Sequence, residues 1–285
     1  MSLNLNNIKY STNSTHALVR ILCKQRDGLR ICHIIAQSLV KKMDELRFIM
    51  EGSGVDIICI SETWFVNSMM DSLFHLNGFK LFRADRVGHG GGVAIYVRNG
   101  VTVRFVEKSL PESKIEYLFL EVIQNDSKLL VGCVYRPNKN IDYSDLIQRI
   151  DFLSLNYADT VICGDFNSNL LVEDTLLNSM LTLGLYSANI SMPTHFTKTI
   201  NTLLDLFLVT NTNKILLYDQ ISVPGFSKHD MIFCIYDFDL SATNNTFTYR
   251  DYKNINTEEL ILKTLSIDWS SVYSMTTASQ HLFFQ

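Results

Sequence analysis

The chain holds 285 residues, 47% hydrophobic and 11% aromatic, with only 4 prolines and 13 glycines. This composition provides for a full packed core and excludes the disordered and collagen-like classes. A formal net charge of -4 excludes a generally basic surface, though not a nuclease, whose metal-holding acids offset a basic groove.

Residues 1–27 are polar, lack the apolar stretch of a signal peptide, and read as a poorly structured leader. Asn13-Ser14-Thr15 matches a glycosylation acceptor, but without a secretory signal the match reads as chance. No apolar run approaches the ~18 residues of a membrane span. Five of the six cysteines sit in apolar runs and none forms a CxxC pair. They read as reduced core residues of an intracellular protein.

"LRICHII" (29–35) predicts a buried strand. Residues 37–54 then predict a helix with Leu39, Met43, Leu46 and Met50 on one face and Gly52 and Gly54 as stops. "VDIICISET" (55–63) completes a β-α-β unit. Strands follow in quick succession: "FKLFRAD", "GGVAIYVRN", "VTVRFVE", "YLFLEVI" and "KLLVGCVYR". Their short connections favour antiparallel pairing. Helices near 143–156 and 173–184 flank the strand "TVICGDF", and "LLDLFLVT", "QISV" and "MIFCIYDF" close the core near residue 240. The pattern predicts one large α/β domain, two mainly antiparallel sheets packed face to face and covered by helices. A polar connector follows, with one amphipathic helix over 257–269.

Polar groups recur where apolar strands end. Glu62 follows "IICIS", Asp165 and Asn167 share a face in "VICGDFN", Tyr135 and Arg136 close "GCVYR", Asp205 interrupts "LLDLFL", and His229 stands in "FSKHD". Singly, each has a bland reading: a cap, an Asx turn, a satisfied core acid. Five such sites, each deliverable to one sheet edge, form a kit for metal-assisted phosphoester hydrolysis. Carboxylates hold Mg²⁺ and prepare a water, while neutral donors steady the charge developing on phosphate.

In their order, "SETW", "FRADRVGHGGGVAIYVRN", "VGCVYRPN", "ICGDFN", "LLDLFL" and "SKHD" resemble the endonuclease/exonuclease/phosphatase superfamily. More closely, they resemble the apurinic-type endonuclease domain of non-LTR (LINE-like) retrotransposons of the jockey and chicken-repeat group. The resemblance runs from about residue 29 to 240, and implies a four-layer α/β sandwich over 28–240. The 241–285 connector is similar to the segment preceding a reverse transcriptase, and no polymerase domain follows. By position, the resemblance makes Glu62 the principal Mg²⁺ ligand, with Mn²⁺ as the alternative ion. Asp165 shares the metal and polarises the water, Asn167 holds water or phosphate, and Tyr135 contacts the scissile phosphate or leaving oxygen. Asp205 orients His229, which bonds the phosphate. Arg83, Arg86 and Arg136 supply phosphate contacts. The implied partner is DNA, with element RNA or a reverse transcriptase in the parent element; a monomer acting in the nucleus is expected. "GHGGG" (88–92) has no helix after it and reads as a turn rather than a phosphate cradle.

Two positions depart from the family pattern. Ile35 stands where that pattern places an asparagine, with Gln37 in place of an arginine, and Lys228 replaces the aspartate of a Ser-Asp-His motif. Alternation along the strand points Asp230 away from the face used by His229, so it does not replace that acid. Three functions remain open: a DNA endonuclease, a decayed or domesticated fragment retaining the fold and nucleic-acid binding, and a phosphatase or lipid phosphodiesterase.

Overall fold

The computed structural model describes residues 27–172, 175–189, 191–238 and 256–266. All but Asp27 of the expected leader, and residues 239–255, lie outside the described residues. The chain divides into two units, Met1–Thr243 and Asn244–Gln285.

Within the first unit, one six-stranded sheet runs in the order β13-β14-β1-β2-β4-β3. Its strands are β1 (Leu29–Ile35), β2 (Ile57–Ser61), β3 (Phe79–Ala84), β4 (Val93–Arg98), β13 (Ile215–Ile221) and β14 (Met231–Tyr236). The second runs β5-β6-β7-β8-β12-β9, with β5 (Thr102–Lys108), β6 (Glu116–Gln124), β7 (Ser127–Tyr135), β8 (Asp159–Asp165), β9 (Tyr186–Ser187) and β12 (Asp205–Val209). Strands β10 (His195–Phe196) and β11 (Asn201–Thr202) form a small separate hairpin. Each large sheet contains one parallel pair, β1–β2 and β7–β8, joined through helices α1 (Met43–Met50) and α2 (Ser144–Ser154). The other pairings are antiparallel, as expected.

Strand alternation builds the layers. Ile57 and Cys59 of β2, Ile232 and Cys234 of β14, Leu129 and Val131 of β7 and Phe207 of β12 meet between the sheets. Their neighbours Ile58, Ile60, Phe233 and Ile235 instead pack with Leu46 and Met50 of α1. On the far side Leu130, Ile162, Leu206 and Leu208 pack with Ile150 of α2 and with Leu176 and Met180 of α3 (Thr175–Thr182). The result is helix, sheet, sheet, helix. A fully buried aliphatic side chain contributes ~1.5–3 kcal/mol, so these three apolar layers dominate the favourable side of folding.

Three expectations need correction. The helix expected from residue 37 begins at Met43, after a 3₁₀ turn at Leu39–Lys41. Its intended start is used instead to prolong β1–β2 pairing, since the Ser38 and Leu39 amides donate to the Glu62 and Thr63 carbonyls. The short β4–β5 link is not a hairpin; it carries the chain from one sheet to the other. β13 starts at Ile215, earlier than expected, because its half-buried side chains give no clean period-two signal.

The second unit is described as helix α4 (Thr257–Ser266), where Asn256 Oδ1 accepts from the Glu258 amide as an N-cap. Among the described residues no helix is long and apolar enough to cross a membrane.

The β7–β8 pair leaves no room for a side chain at Gly164, where a Cβ would lie 1.9 Å from the Val134 carbonyl oxygen. Gly164→Ala should therefore destabilise the protein by about 2–3 kcal/mol or more. Urea denaturation followed by circular dichroism checks this, and an unchanged midpoint would refute it.

Candidate active site

The strand registers themselves assemble a row of polar residues. Glu116 pairs with Tyr135 across β6–β7, Tyr135 with Asp165 across β7–β8, and Asp165 with Asp205 across β8–β12. Residues in direct register share a face, and alternation places all four on the face that carries Leu118, Cys133, Cys163 and Phe207 into the inter-sheet layer. The opposite sheet delivers His33, Ile35 and Ser61 to the same end of that layer. Glu62 follows immediately, and Ser61 Oγ and Val134 O lie 3.4 Å apart across the sheets.

Tyr135 Oη donates to Glu62 Oε1 at 2.8 Å, joining the two sheets at the site. Asn167 Nδ2 donates to Asp165 Oδ2 at 3.0 Å and to the Arg136 carbonyl at 2.7 Å, while its amide donates to Asp165 Oδ1 at 2.9 Å. The Asx turn is thus real, and it also fixes the acid. Asp205 is fully buried; its Oδ2 accepts from Thr194 Oγ1 at 2.7 Å and pairs with His229 Nδ1 at 2.8 Å. The loops that carry these groups are conformationally costly. Gln37, Ser38, Glu62, Trp64 and Asn167 all have positive φ, at ~1–3 kcal/mol each.

Burial shapes the protonation states. It drives the Asp165 carboxyl well above the usual carboxylate range, reinforced by the Asp205 charge. Burial also works against the Asp205 anion, but His229 and the Thr194 hydroxyl more than offset it and hold that carboxyl low. At His229 burial opposes the cation, yet the contact with Asp205 wins and raises the imidazole. This is a carboxylate–imidazole pair in which the acid fixes the orientation of the ring.

The structure thus brings together Glu62, Tyr135, Asp165, Asn167, Asp205 and His229. It does not offer the arginines as expected. Arg136 is buried, with Nε donating to the Ile141 carbonyl at 2.9 Å and Nη1 to Ser168 Oγ at 2.8 Å, a further bond to the Lys139 carbonyl, and its guanidinium over the Tyr143 ring. These bonds clamp a loop. Arg83 is held by the Met69 carbonyl, Asp71 and Asp85. Arg86 remains beside the site, paired with Glu116 and 6.0 Å from the Tyr135 ring centre. Asp230 Oδ2 accepts from Gln220 Nε2 at 2.9 Å, while the Asp205–His229 pair forms without it. In the glycine-rich loop the carbonyls of Gly91 and Gly92 accept from Trp64 and Thr63, and the Gly92 amide donates to Glu116 Oε2 at 3.0 Å. This loop packs tightly on the site; a Cβ on Gly92 would meet Thr63 Oγ1 at 2.6 Å.

Sequence reasoning missed Glu116, Thr194, His33 and His195. Glu116 had a signal, an acid in step with Leu118 and Leu120 on an apolar face, and so did His33, in step with Leu29 and Ile31. Thr194 lies beside and His195 in a two-residue strand, and neither had a signal; the His195 ring centre lies 4.3 Å from that of His229, the planes tilted by 31°.

Two carboxylates, Glu62 and Asp165, offer oxygens toward the site, and among the described residues no group of three or more His, Cys, Asp or Glu forms a metal cage. Mg²⁺ keeps most of its waters and binds through one or two carboxylates, so this donor set fits a partly hydrated ion and not an all-protein site.

Burial pushes the Glu116 carboxyl up to about 7, against the pull of Arg86. A raised acid contributes stability below its unfolded value and loses it as pH climbs through the folded one. The stability difference between wild type and Glu116→Gln should shift against the wild type between about pH 4.5 and 7. Urea titrations at stepped pH read this, and a pH-independent difference would refute it.

The family model described as the Endonuclease/Exonuclease/phosphatase family matches residues 1–227. Among solved structures, the 3' phosphatase NExo from Neisseria bound to product DNA hairpin is similar at TM-score 0.59 and 14% identity, over 74% of this chain and 100% of that one. The endonuclease domain of TRAS1, a telomere-specific non-LTR retrotransposon, is similar at TM-score 0.57 and 15% identity, over 74% and 99%. An AP endonuclease from Archaeoglobus fulgidus is similar at TM-score 0.56 and 16% identity, over 74% and 100%. No curated protein matches the sequence significantly. At these identities the structural likenesses speak for the α/β sandwich, and the family match covers most of the chain: the chain belongs to the Endonuclease/Exonuclease/phosphatase family.

Proposed function

We propose that this protein is a divalent-metal-dependent DNA endonuclease of the non-LTR-retrotransposon type. The observation that carries the reading is the register row Tyr135–Asp165–Asp205, closed at one side by Glu62 on Tyr135 and at the other by His229 on Asp205. Asp165, with Asn167 bound to it, stands where a water can be held and deprotonated. The water oxygen adds to phosphorus, the bridging P–O bond breaks, and the departing oxygen takes a proton. Tyr135 and His229 are the donors for phosphate oxygens, and Asp205 keeps the His229 ring turned toward them. Glu62 and Asp165 would hold Mg²⁺, or Mn²⁺, which supplies Lewis-acid stabilisation of phosphate charge when bound. A nearby cation also favours the ionised form of Asp165. Nucleases of this family are generally divalent-metal dependent; NExo, bound to a product DNA hairpin, supplies a precedent for DNA as substrate, and TRAS1 one for an endonuclease of a non-LTR retrotransposon. Arg86 replaces Arg83 and Arg136 as the arginine beside the phosphate.

A second reading, a fragment that keeps the fold without turnover, is favoured by Ile35. Its side chain is fully buried and lies in register with Ser61 beside the site, so it puts an apolar group where the family pattern has an amide. Lys228 weighs less than its charge suggests. It is solvent-exposed, and an exposed charge at ~4 Å costs a cation only about 1 kcal/mol. Losing one donor costs about 10²–10³ in rate, so Ile35 is the graver departure.

Nicking of supercoiled plasmid separates the readings. An active nuclease should nick with Mg²⁺ and lose about 10²–10³-fold in Glu62→Ala; nicking unaffected by metal or by that substitution would sink it. An inert fragment should gain at least tenfold from Ile35→Asn with Lys228→Asp, most of it from Ile35→Asn alone. Parity between the unaltered and repaired chains would dismiss that reading.

A further inference from the structure

Asp205 is fully buried, and both bonds described above, from Thr194 and His229, go to Oδ2. Its Oδ1 has no hydrogen-bond partner. Buried carboxylate oxygens without a donor are expensive, because the lost hydration is not replaced. The atom facing this oxygen is Nδ1 of His33, 3.6 Å away and likewise buried and unpartnered. His33 comes from β1 of the other sheet, and its Nε2 lies 2.9 Å from Ser61 Oγ, one residue before Glu62.

Burial holds His33 neutral, with its pKa lowered to about 4, so one ring nitrogen carries a proton and the other a lone pair. Placing the proton on Nε2 would aim a bare Nδ1 lone pair at the Asp205 carboxylate. Placing it on Nδ1 supplies the missing donor to Oδ1, and Nε2 then accepts from the Ser61 hydroxyl. The Val134 carbonyl is a longer alternative acceptor for Ser61, at 3.4 Å. The Nδ1 separation exceeds ordinary hydrogen-bond reach by about 0.4 Å, a gap that a slight ring rotation closes.

We infer that His33 is a positioning residue: its Nδ1–H holds the second oxygen of Asp205 and thereby fixes the carboxylate that orients His229. The inner end of the site is then a chain Ser61–His33–Asp205–His229, running from the strand that leads into Glu62 to the imidazole that meets phosphate. The consequence for turnover rests on the nuclease reading proposed above; the bond itself does not.

The test uses the intact protein labelled with ¹⁵N at histidine. The ring-nitrogen shifts of His33 should report a neutral, Nδ1-protonated tautomer; Nε2 protonation overturns the inference. Variants provide the second arm. Asparagine places an amide donor near Nδ1, glutamine near Nε2. His33→Asn should therefore keep the low-field resonance of the His229 Nδ1 proton bonded to Asp205, and His33→Gln should shift or lose it while the amide spectrum stays folded. If His33→Gln leaves that resonance unmoved, the inference falls. In nicking assays kcat should drop by about 10- to 100-fold in His33→Gln with KM little changed, and recover in His33→Asn. An Nδ1 tautomer in a chain that nicks nothing would count against the nuclease reading alone; an Nε2 tautomer in a working nuclease would count against His33 alone.

Discussion

The site depends on a register. Three strands, β7, β8 and β12, set Tyr135, Asp165 and Asp205 side by side on one face of a sheet, and that face is otherwise the apolar filling between two sheets. A slip of one residue in any of these pairings would turn an acid to the outer face and an aliphatic side chain into the site. The polar row therefore has no separate scaffold; it is the last rung of the same ladder that packs Cys133, Cys163 and Phe207.

Ending an apolar layer in acids is costly, and the structure shows how the cost is met. Carboxylates removed from water need donors. Asp165 takes them from Asn167, Asp205 from Thr194 and His229, Glu62 from Tyr135, and Glu116 from Arg86 and the Gly92 amide. Most of these donors come from loops beyond strand ends, Asn167 and Gly92 from left-handed backbone. Strain of that kind persists where surrounding structure over-determines it, and here Ser38, Thr63 and Trp64 are tied by backbone bonds to Glu62, Gly92 and Gly91. The Tyr135–Glu62 and His229–Asp205 bonds are where the two sheets' contributions meet.

Lys42 illustrates how the same end of the sandwich is braced from outside. Its ammonium donates at 2.6 Å to the carbonyls of Ala36 and of Phe226, tying the segment after β1 to the turn before His229. Burial lowers its pKa, with Glu45 and Glu62 pulling the other way. The turn carrying Lys228 and His229 is thus anchored by a cation of its own, leaving Lys228 free to extend into solvent.

Much of this was legible in the linear chain. Continuous apolar runs identify β1, β2, β7, β8 and β14 as strands buried on both faces, and a polar residue closing such a run must lie at the end of a layer. That logic reaches Glu62, Tyr135, Asp165, Asp205 and His229. It extends to Glu116 and His33, whose place in the alternation is equally plain. What alternation cannot reveal is which strands lie side by side, because pairing is decided by packing between residues far apart in the chain. Tertiary structure alone therefore decided that β4 and β5 belong to different sheets, that Arg136 and Arg83 are spent inside the protein, and that Thr194 supplies a hydroxyl to Asp205. It also decided that Ile35 is buried beside Ser61 while Lys228 stands in water. The sequence determined which side chains face inward; only the long-range pairing of strands determined which of them touch.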